Sequence, residues 1–393
     1  MMGGAGGTVA STLSITRVAV THFEYELADL AMDPRYGWDT LYTPGATWRT
    51  GGSILTIETD AGITGEVPGG VDGRTAQYLV GRDPLQREII WHDLKRSRRS
   101  PDGTPPGAVD IALWDIAGKL YGVPVYQLLG GWRTKLPCYA SSFHGDENGG
   151  LTTPQDYAEF ALLSKERYGY PAFKIHGWVN RSIHREVAAV LAIREAVGDE
   201  FDLMLDPAGG FGTFNDVLRV GRACDEAHYL WYEDAFRGGG LSAFAHAKLR
   251  ELIKTPLLMG EHVRGLEAKM DTIHAGAADY VRANAQADGG ITGVMKIAAI
   301  AEASGLDVEI HGGGLAHRHC MASIRNTNYF EMGVGIHKVR ETKAPIYPDR
   351  QWMDELDSVD ADGCIDVPEE PGLGVPLDWD FINAHKTGET VYP

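Results

Sequence analysis

Three acids stand at the ends of short apolar runs in this chain: Asp206 in LMLDPAGG, Glu233 in LWYEDAF and Glu261 in LLMGEHV. The intervals between them are 27 and 28 residues, about one strand-plus-helix unit each. On successive strands of a parallel barrel, that spacing aims three carboxylates at one point above the C-terminal mouth. Unpaired there, they would repel and raise one another's pKa values. A hard divalent cation resolves the repulsion, and all-oxygen ligation with open positions favours Mg²⁺ over zinc, which prefers His and Cys. A single strand-end acid is ordinarily just solvated; three in register on successive units are not explained that way. A second grouping lies in GYPAFKIHGW, where Lys174 and His176 occupy alternate positions of a predicted strand and so share one face. Farther on, DYVRAN ends at Asn284, LDVEIH ends at His311 before GGG, and NYFEMG supplies Glu331. The acids Asp234, Asp288 and Asp307 lie off these strand ends and read as solvated.

The elements that must position these groups follow from hydrophobic periodicity. Residues 13–66 read as strands, with TDAG as a hairpin turn. Residues 29–50, rich in Gly, Pro, Tyr, Trp and Asp, read as a loop of the kind that serves as a lid. Residues 75–130 carry apolar residues at helical spacing. From about residue 136, short β-type runs alternate with amphipathic helical segments every 25–30 residues or so. Seven or eight such units fit a (β/α)-barrel better than an open sheet, and no Gly-rich phosphate fingerprint follows the first strand. The predicted fold class is α/β, a modified (β/α)-barrel with an N-terminal α+β capping domain. Its expected divisions are 1–135 for the capping domain with its lid loop, 136–345 for the catalytic barrel, and 346–393 for a segment returning to the capping domain.

A chain of 393 residues is long enough for that arrangement. The net charge of −18 argues against a nucleic-acid partner but not against a small anion, since one metal ion can reverse the field inside a site. The four cysteines, Cys138, Cys224, Cys320 and Cys364, lack any paired spacing that would suggest zinc or a disulfide framework. Reduced thiols, an N-terminus unlike a signal peptide and no apolar run of membrane-spanning length together predict a cytoplasmic protein with no membrane partner.

The ordered series Lys174-x-His176, Asp206, Glu233, Glu261, Asn284, His311, Glu331 resembles the enolase superfamily, in its mandelate racemase-like and acid-sugar dehydratase branch. PPGAVDIALWDIAGKLYGVPVYQLLGG resembles the helix closing that family's capping domain, and GGITGVMKIAAIAEASGL its sixth β/α unit. The resemblance covers nearly the whole length. It implies Mg²⁺ held by Asp206, Glu233 and Glu261, a small carboxylate substrate, and a homo-oligomer. It also implies a first step in which a base removes the proton α to the carboxylate, giving a metal-stabilised enediolate. Lys174, His176, Asn284, His311 and Glu331 then fall among the catalytic groups.

The chain departs from the family pattern twice. His176 stands where the second Lys of a Lys-x-Lys pair is usual, and Asn284 stands where an Asp usually partners the seventh-strand His. The Asn amide oxygen can accept the imidazole N–H and so fix the tautomer of His311, but it carries no charge to stabilise an imidazolium. That weakens a racemase, which needs two bases, and is tolerable for a dehydratase that expels a β-hydroxyl. The expected activity is therefore Mg²⁺-dependent dehydration of a polyhydroxy acid, a carbon–oxygen lyase reaction. A racemase or epimerase on the same scaffold is the alternative. An inactive metal-binding barrel is a third reading, opposed by the presence of every metal ligand with Lys174 and Glu331. The order in which Lys174, His176 and His311 act as base and acid stays open at this point. Ser141, His262 and Arg264 are candidate substrate contacts near the strand ends, and Trp48 and Arg49 are candidates in the predicted lid. An oxygen-ligand centre argues against a zinc site at His317 and His319.

Overall fold

The computed structural model describes residues 13–32, 40–98, 103–143, 150–178, 182–333, 335, 338–339 and 341–393. The chain opens with β1 (Ile15–Met32), β2 (Thr40–Thr59) and β3 (Thr64–Pro68), followed by α1 (Gly73–Leu79), α2 (Arg87–Ser97), α3 (Gly107–Tyr121) and α4 (Val125–Leu128). Strand and helix then alternate: β4 (Lys135–Ser141), α5 (Pro154–Tyr168), β5 (Ala172–His176), α6 (Ile183–Val197), β6 (Asp202–Asp206) and α7 (Phe214–Glu226). The series continues with β7 (Trp231–Glu233), α8 (Ala243–Arg250), β8 (Leu257–Met259), α9 (Leu266–His274), β9 (Tyr280–Ala283) and α10 (Gly290–Ala303). It closes with β10 (Asp307–Ile310), α11 (Leu315–Ser323), β11 (Phe330–Gly333), β12 (Cys364–Asp366), α12 (Trp379–Ala384) and β13 (Lys386–Tyr392).

Two sheets result. An antiparallel sheet runs β13-β1-β2-β3, so the C-terminal strand returns to the first. A parallel sheet runs β10-β9-β8-β7-β6-β5-β4-β11, with β12 antiparallel against β4. It curls into a nearly closed barrel whose end strands approach where Gly312 N–H donates to Glu331 Oε2 at 2.8 Å.

Strand periodicity lifts the functional groups onto one level. Ala172, Met204 and Trp231 form a buried apolar layer with Tyr139 and Leu258 inside the barrel. Two positions along each strand, and therefore on the same face, come Lys174, Asp206 and Glu233. The same step carries Tyr280 to Arg282 and Tyr329 to Glu331. A charged layer thus rests on an apolar floor. The capping elements are fastened to this barrel through α3 and α10. Asp110, buried, accepts from Thr292 N–H at 2.9 Å and from its hydroxyl at 2.7 Å, while Trp114 Nε1 donates to the same hydroxyl at 3.0 Å. Gly290 permits this contact: its φ is +81°, and a Cβ there would lie 2.3 Å from the Asp110 side chain.

The reading of 29–50 as a lid loop is corrected over the described part. Residues 29–32 belong to β1 and 40–50 to β2, paired from Ala28–Thr47 down through Glu26–Arg49. Thr, Tyr and Trp fit a pleated surface, and Pro44–Gly45 are absorbed at a register shift. Residues 33–39 lie outside the described residues.

Candidate active site

One ligand oxygen from each of Asp206, Glu233 and Glu261 falls within 4.8 Å of the other two. Asp206 and Glu233 end β6 and β7, and Glu261 sits two residues beyond β8. Local backbone strain aims two of these turns: Ala208, whose N–H holds Asp206 Oδ1 at 2.7 Å, and Asp234 both adopt positive φ, +45° and +34°.

Two fixed cations sit under the cluster. Lys174, fully buried, lies 2.7 Å from Glu331 Oε1, 3.2 Å from Glu233 Oε2 and 3.6 Å from Asp206 Oδ2. Burial works against its charge, but Glu233 and Glu331 outweigh burial and hold its pKa well above the ordinary lysine value. Arg282 clamps Glu233 with Nε at 2.5 Å and Nη2 at 2.9 Å, and Nη2 also donates to the Tyr139 hydroxyl at 2.9 Å. Four carboxylates face two permanent cations, an excess of two negative charges. That excess shows in Glu261, whose carboxyl is pushed up to about 7 by burial and then by Asp206 and Glu233. Burial also pushes Asp206 up, but His176 and Lys174 prevail and hold it far below the usual range.

The histidines flank the cluster. His176 Nε2 is 3.2 Å from Asp206 Oδ2, and His311 Nε2 is 3.4 Å from Glu261 Oε1. Their other ring nitrogens meet opposite partners. His176 Nδ1 lies 2.5 Å from the Ser142 carbonyl, an acceptor, so this nitrogen carries a proton. His311 Nδ1 lies 3.1 Å from the side-chain nitrogen of Asn284. The amide orientation is set by its oxygen, which accepts from Gln286 N–H at 2.7 Å and Ala287 N–H at 3.2 Å. Asn284 therefore donates, His311 Nδ1 accepts, and the proton of a neutral His311 resides on Nε2. The sequence reading had the amide oxygen facing the ring; the Asx turn at 284–287 takes that oxygen instead. Burial lowers the pKa of His311, whereas Asp206 raises that of His176 against burial.

The remaining candidates divide. Ser141 is buried with Oγ 3.4 Å from His176 Nδ1. His262 lines the cavity of about 650 Å³ at the mouth, together with Ser142, Phe143, His176, Glu261 and His311. Arg264 Nη1 donates to the Glu261 carbonyl at 2.6 Å and faces a neighbouring cavity instead. Trp48 and Arg49 do not line the mouth: both are on β2, Trp48 packs on the core and Arg49 pairs with Glu24 at 2.5 Å. His317 and His319 are spent on backbone, accepting from Ala285 N–H and Tyr126 N–H. Asp234 and Asp288 are corrections, for both are buried; Asp234 accepts from Gly260 N–H and Asp288 from Asn284 N–H. Sequence reasoning missed Arg282, although an arginine two residues before Asn284 in an apolar strand was a visible signal. It also missed Ser142 and Lys269, and Lys269 had no local signal.

Residues 156–381 match the family described as enolase C-terminal domain-like, and residues 51–130 match the mandelate racemase / muconate lactonizing enzyme N-terminal domain. The chain belongs to the enolase superfamily. Within that superfamily it is 30% identical to D-gluconate dehydratase of Thermoproteus tenax over 81% of this chain, and the match spans 65% of that relative's length. It is 29% identical to D-xylonate dehydratase of Haloferax volcanii, over 94% of this chain and 96% of the relative. Among solved structures, D-glucarate dehydratase from Agrobacterium tumefaciens complexed with magnesium superposes with a TM-score of 0.85 at 30% identity, covering 96% of this chain and 100% of that one. No described helix is long and apolar enough to cross a membrane.

Proposed function

We propose that this enolase-superfamily protein is a Mg²⁺-dependent dehydratase of an acid sugar, removing water to give a 2-keto-3-deoxy acid. The observation that carries the reading is the carboxylate trio, two negative charges in excess and flanked by histidines held in opposite tautomers. The relatives named for dehydration of gluconate, xylonate and glucarate support the reaction class, and the neighbour crystallised with magnesium supports the ion. Asp206, Glu233 and Glu261 would hold the cation, whose charge offsets the dianion formed when a proton leaves the carbon beside a carboxylate.

The residues of the chain do the rest. Lys174, fixed by Glu331 and Glu233, is a permanent positive charge beside the developing oxyanion and not a base. With the Asp206 charge taken up by the cation, His176, whose Nδ1–H stays on a carbonyl, would be neutral and accept the α-proton at Nε2. The C–H electron pair moves into the enediolate. The same His176, now an imidazolium, returns that proton to the β-oxygen as the C–O bond breaks, and water leaves. The enol then ketonises. His311 is held neutral with Nε2–H toward the site, so it donates a hydrogen bond without taking a proton, a role suited to polarising oxygen.

A panel of acid sugars incubated with the protein and Mg²⁺, followed by semicarbazone absorbance, tests this. The expected result is 2-keto acid from at least one member. Recovery of an epimer with no keto acid would replace dehydration by racemisation on the same scaffold.

A further inference from the structure

A second cavity, about 440 Å³, opens on the far side of His262, which lines both it and the mouth of the barrel. Hydrogen-bond donors dominate its wall: Arg98 and Thr104 from the capping side, Arg264 and Gln286 from the barrel side. Arg98 is paired with Asp72 at 2.8 Å. Arg264 is different. It is half-buried, and among the described residues no carboxylate lies within ion-pair distance; its one hydrogen bond goes from Nη1 to the Glu261 carbonyl. Arg264 acts on the buried Asp288 carboxylate at longer range, but that acid is held directly by Lys269 at 3.4 Å, so among the described residues the guanidinium has no acid in contact. Its planar fork matches an oxyanion and is not satisfied by one carbonyl. Arg264 Nη1 lies 2.6 Å from the carbonyl of Glu261, itself one of the carboxylate trio, and His262 is common to both walls, so the two chambers are neighbours across one side chain, within the reach of a short extended molecule.

We propose that Arg264 binds a second anionic group at the end of the substrate distal to the reacting carboxylate. This rests on the dehydratase reading and narrows it: the preferred substrates are acid sugars charged at both ends. A terminal carboxylate and a terminal phosphate ester share the chemistry that Arg264 recognises. The named relatives leave the point open, since gluconate and xylonate carry one carboxylate and glucarate two.

The test compares hexaric acids, hexonic acids and hexonic acid 6-phosphates of matched configuration on the wild-type protein, Arg264→Gln and Arg264→Lys, all with Mg²⁺. Wild type is expected to favour a doubly charged substrate at least tenfold in kcat/KM, and the better of the dicarboxylate and the phosphate identifies the group. Arg264→Gln should reduce that preference by about 10–100-fold, the worth of a charge-assisted pair, mainly through KM, and Arg264→Lys should recover part of it. Equal use of singly and doubly charged substrates by wild type, or an equal loss on both in Arg264→Gln, overturns the proposal. If no acid sugar is dehydrated, the dehydratase reading fails, and calorimetric binding of hexarate to the Mg²⁺-loaded proteins decides the chamber separately. Weaker binding in Arg264→Gln than in wild type supports it; equal binding overturns it.

Discussion

Asn284 differs from an aspartate by one atom, and that atom decides what His311 can be. With an N–H₂ group facing Nδ1 at 3.1 Å, an imidazolium would set donor against donor. Asn284→Asp keeps the turn, because one oxygen can still accept from Gln286 and Ala287, and turns an acceptor toward the ring. The apparent pKa assigned to His311 should then rise by about 1–3 units, shifting that limb of the pH–rate profile upward. Loss of the substrate α-proton signal in D₂O should also become faster, since a second competent base has been made. Matching exchange rates and profiles in the two proteins would mean that another group tunes His311. Glu261 makes a different prediction. Its carboxyl, raised to about 7 by burial and two acidic neighbours, is protonated below that pH, so a cation must displace the proton. Mg²⁺ affinity should fall by up to about tenfold per pH unit below 7 and level off above it. Calorimetry in buffers of different ionisation heat should show nearly one proton released per ion at pH 6 and little at pH 8. Absence of release at pH 6 would contradict the shift. The carboxylate trio was legible because each acid ends an apolar run. Asp234, Asp288 and Arg282 were not, because a charge inside a strand or turn reads as solvated until its buried partner is known.

At the level of elements, the two-residue step that stacks Lys174, Asp206 and Glu233 over an apolar layer was readable from alternation alone. What alternation cannot show is how neighbouring strand ends are tied. Lys269, on α9 and 1% exposed, donates at 2.7 Å to both the Gly260 and Arg282 carbonyls and lies 3.4 Å from Asp288. It joins the residue before Glu261 to the residue two before Asn284. Burial lowers its pKa, with Asp288 opposing. Lys269→Met should destabilise the protein by about 3–5 kcal/mol in chemical denaturation, because two carbonyls and a buried acid lose their partner. It should also weaken Mg²⁺ binding, as Glu261 loses its tether. A stability loss with unchanged Mg²⁺ affinity would reduce Lys269 to a structural role. Sequence patterning gave no hint of this contact, since it joins a helix to a turn and to a neighbouring strand. The hairpin of β1 and β2 failed to emerge for the opposite reason: Pro44 and Gly45 are loop signals locally, yet a long ladder with a register shift absorbs them.

For the molecule as a whole, the 27- and 28-residue intervals carried most of the architecture, because only a repeating strand–helix unit places three acids at one mouth. The union of capping elements and barrel was less visible. It depends on Asp110, Thr292 and a glycine in the left-handed region, residues far apart in sequence and ordinary in type. The central claim is that the carboxylate trio exists to hold the cation on which dehydration depends. The most direct measurement is keto-acid formation across a Mg²⁺ titration, for wild type and Glu261→Gln, on whichever acid sugar turns over. Wild-type rate should rise saturably with Mg²⁺ and vanish with chelator, and Glu261→Gln should lose at least about 10³-fold in kcat, on the order of 4 kcal/mol of barrier. A rate indifferent to Mg²⁺, or a Glu261→Gln protein as active as wild type at every concentration, would contradict the account.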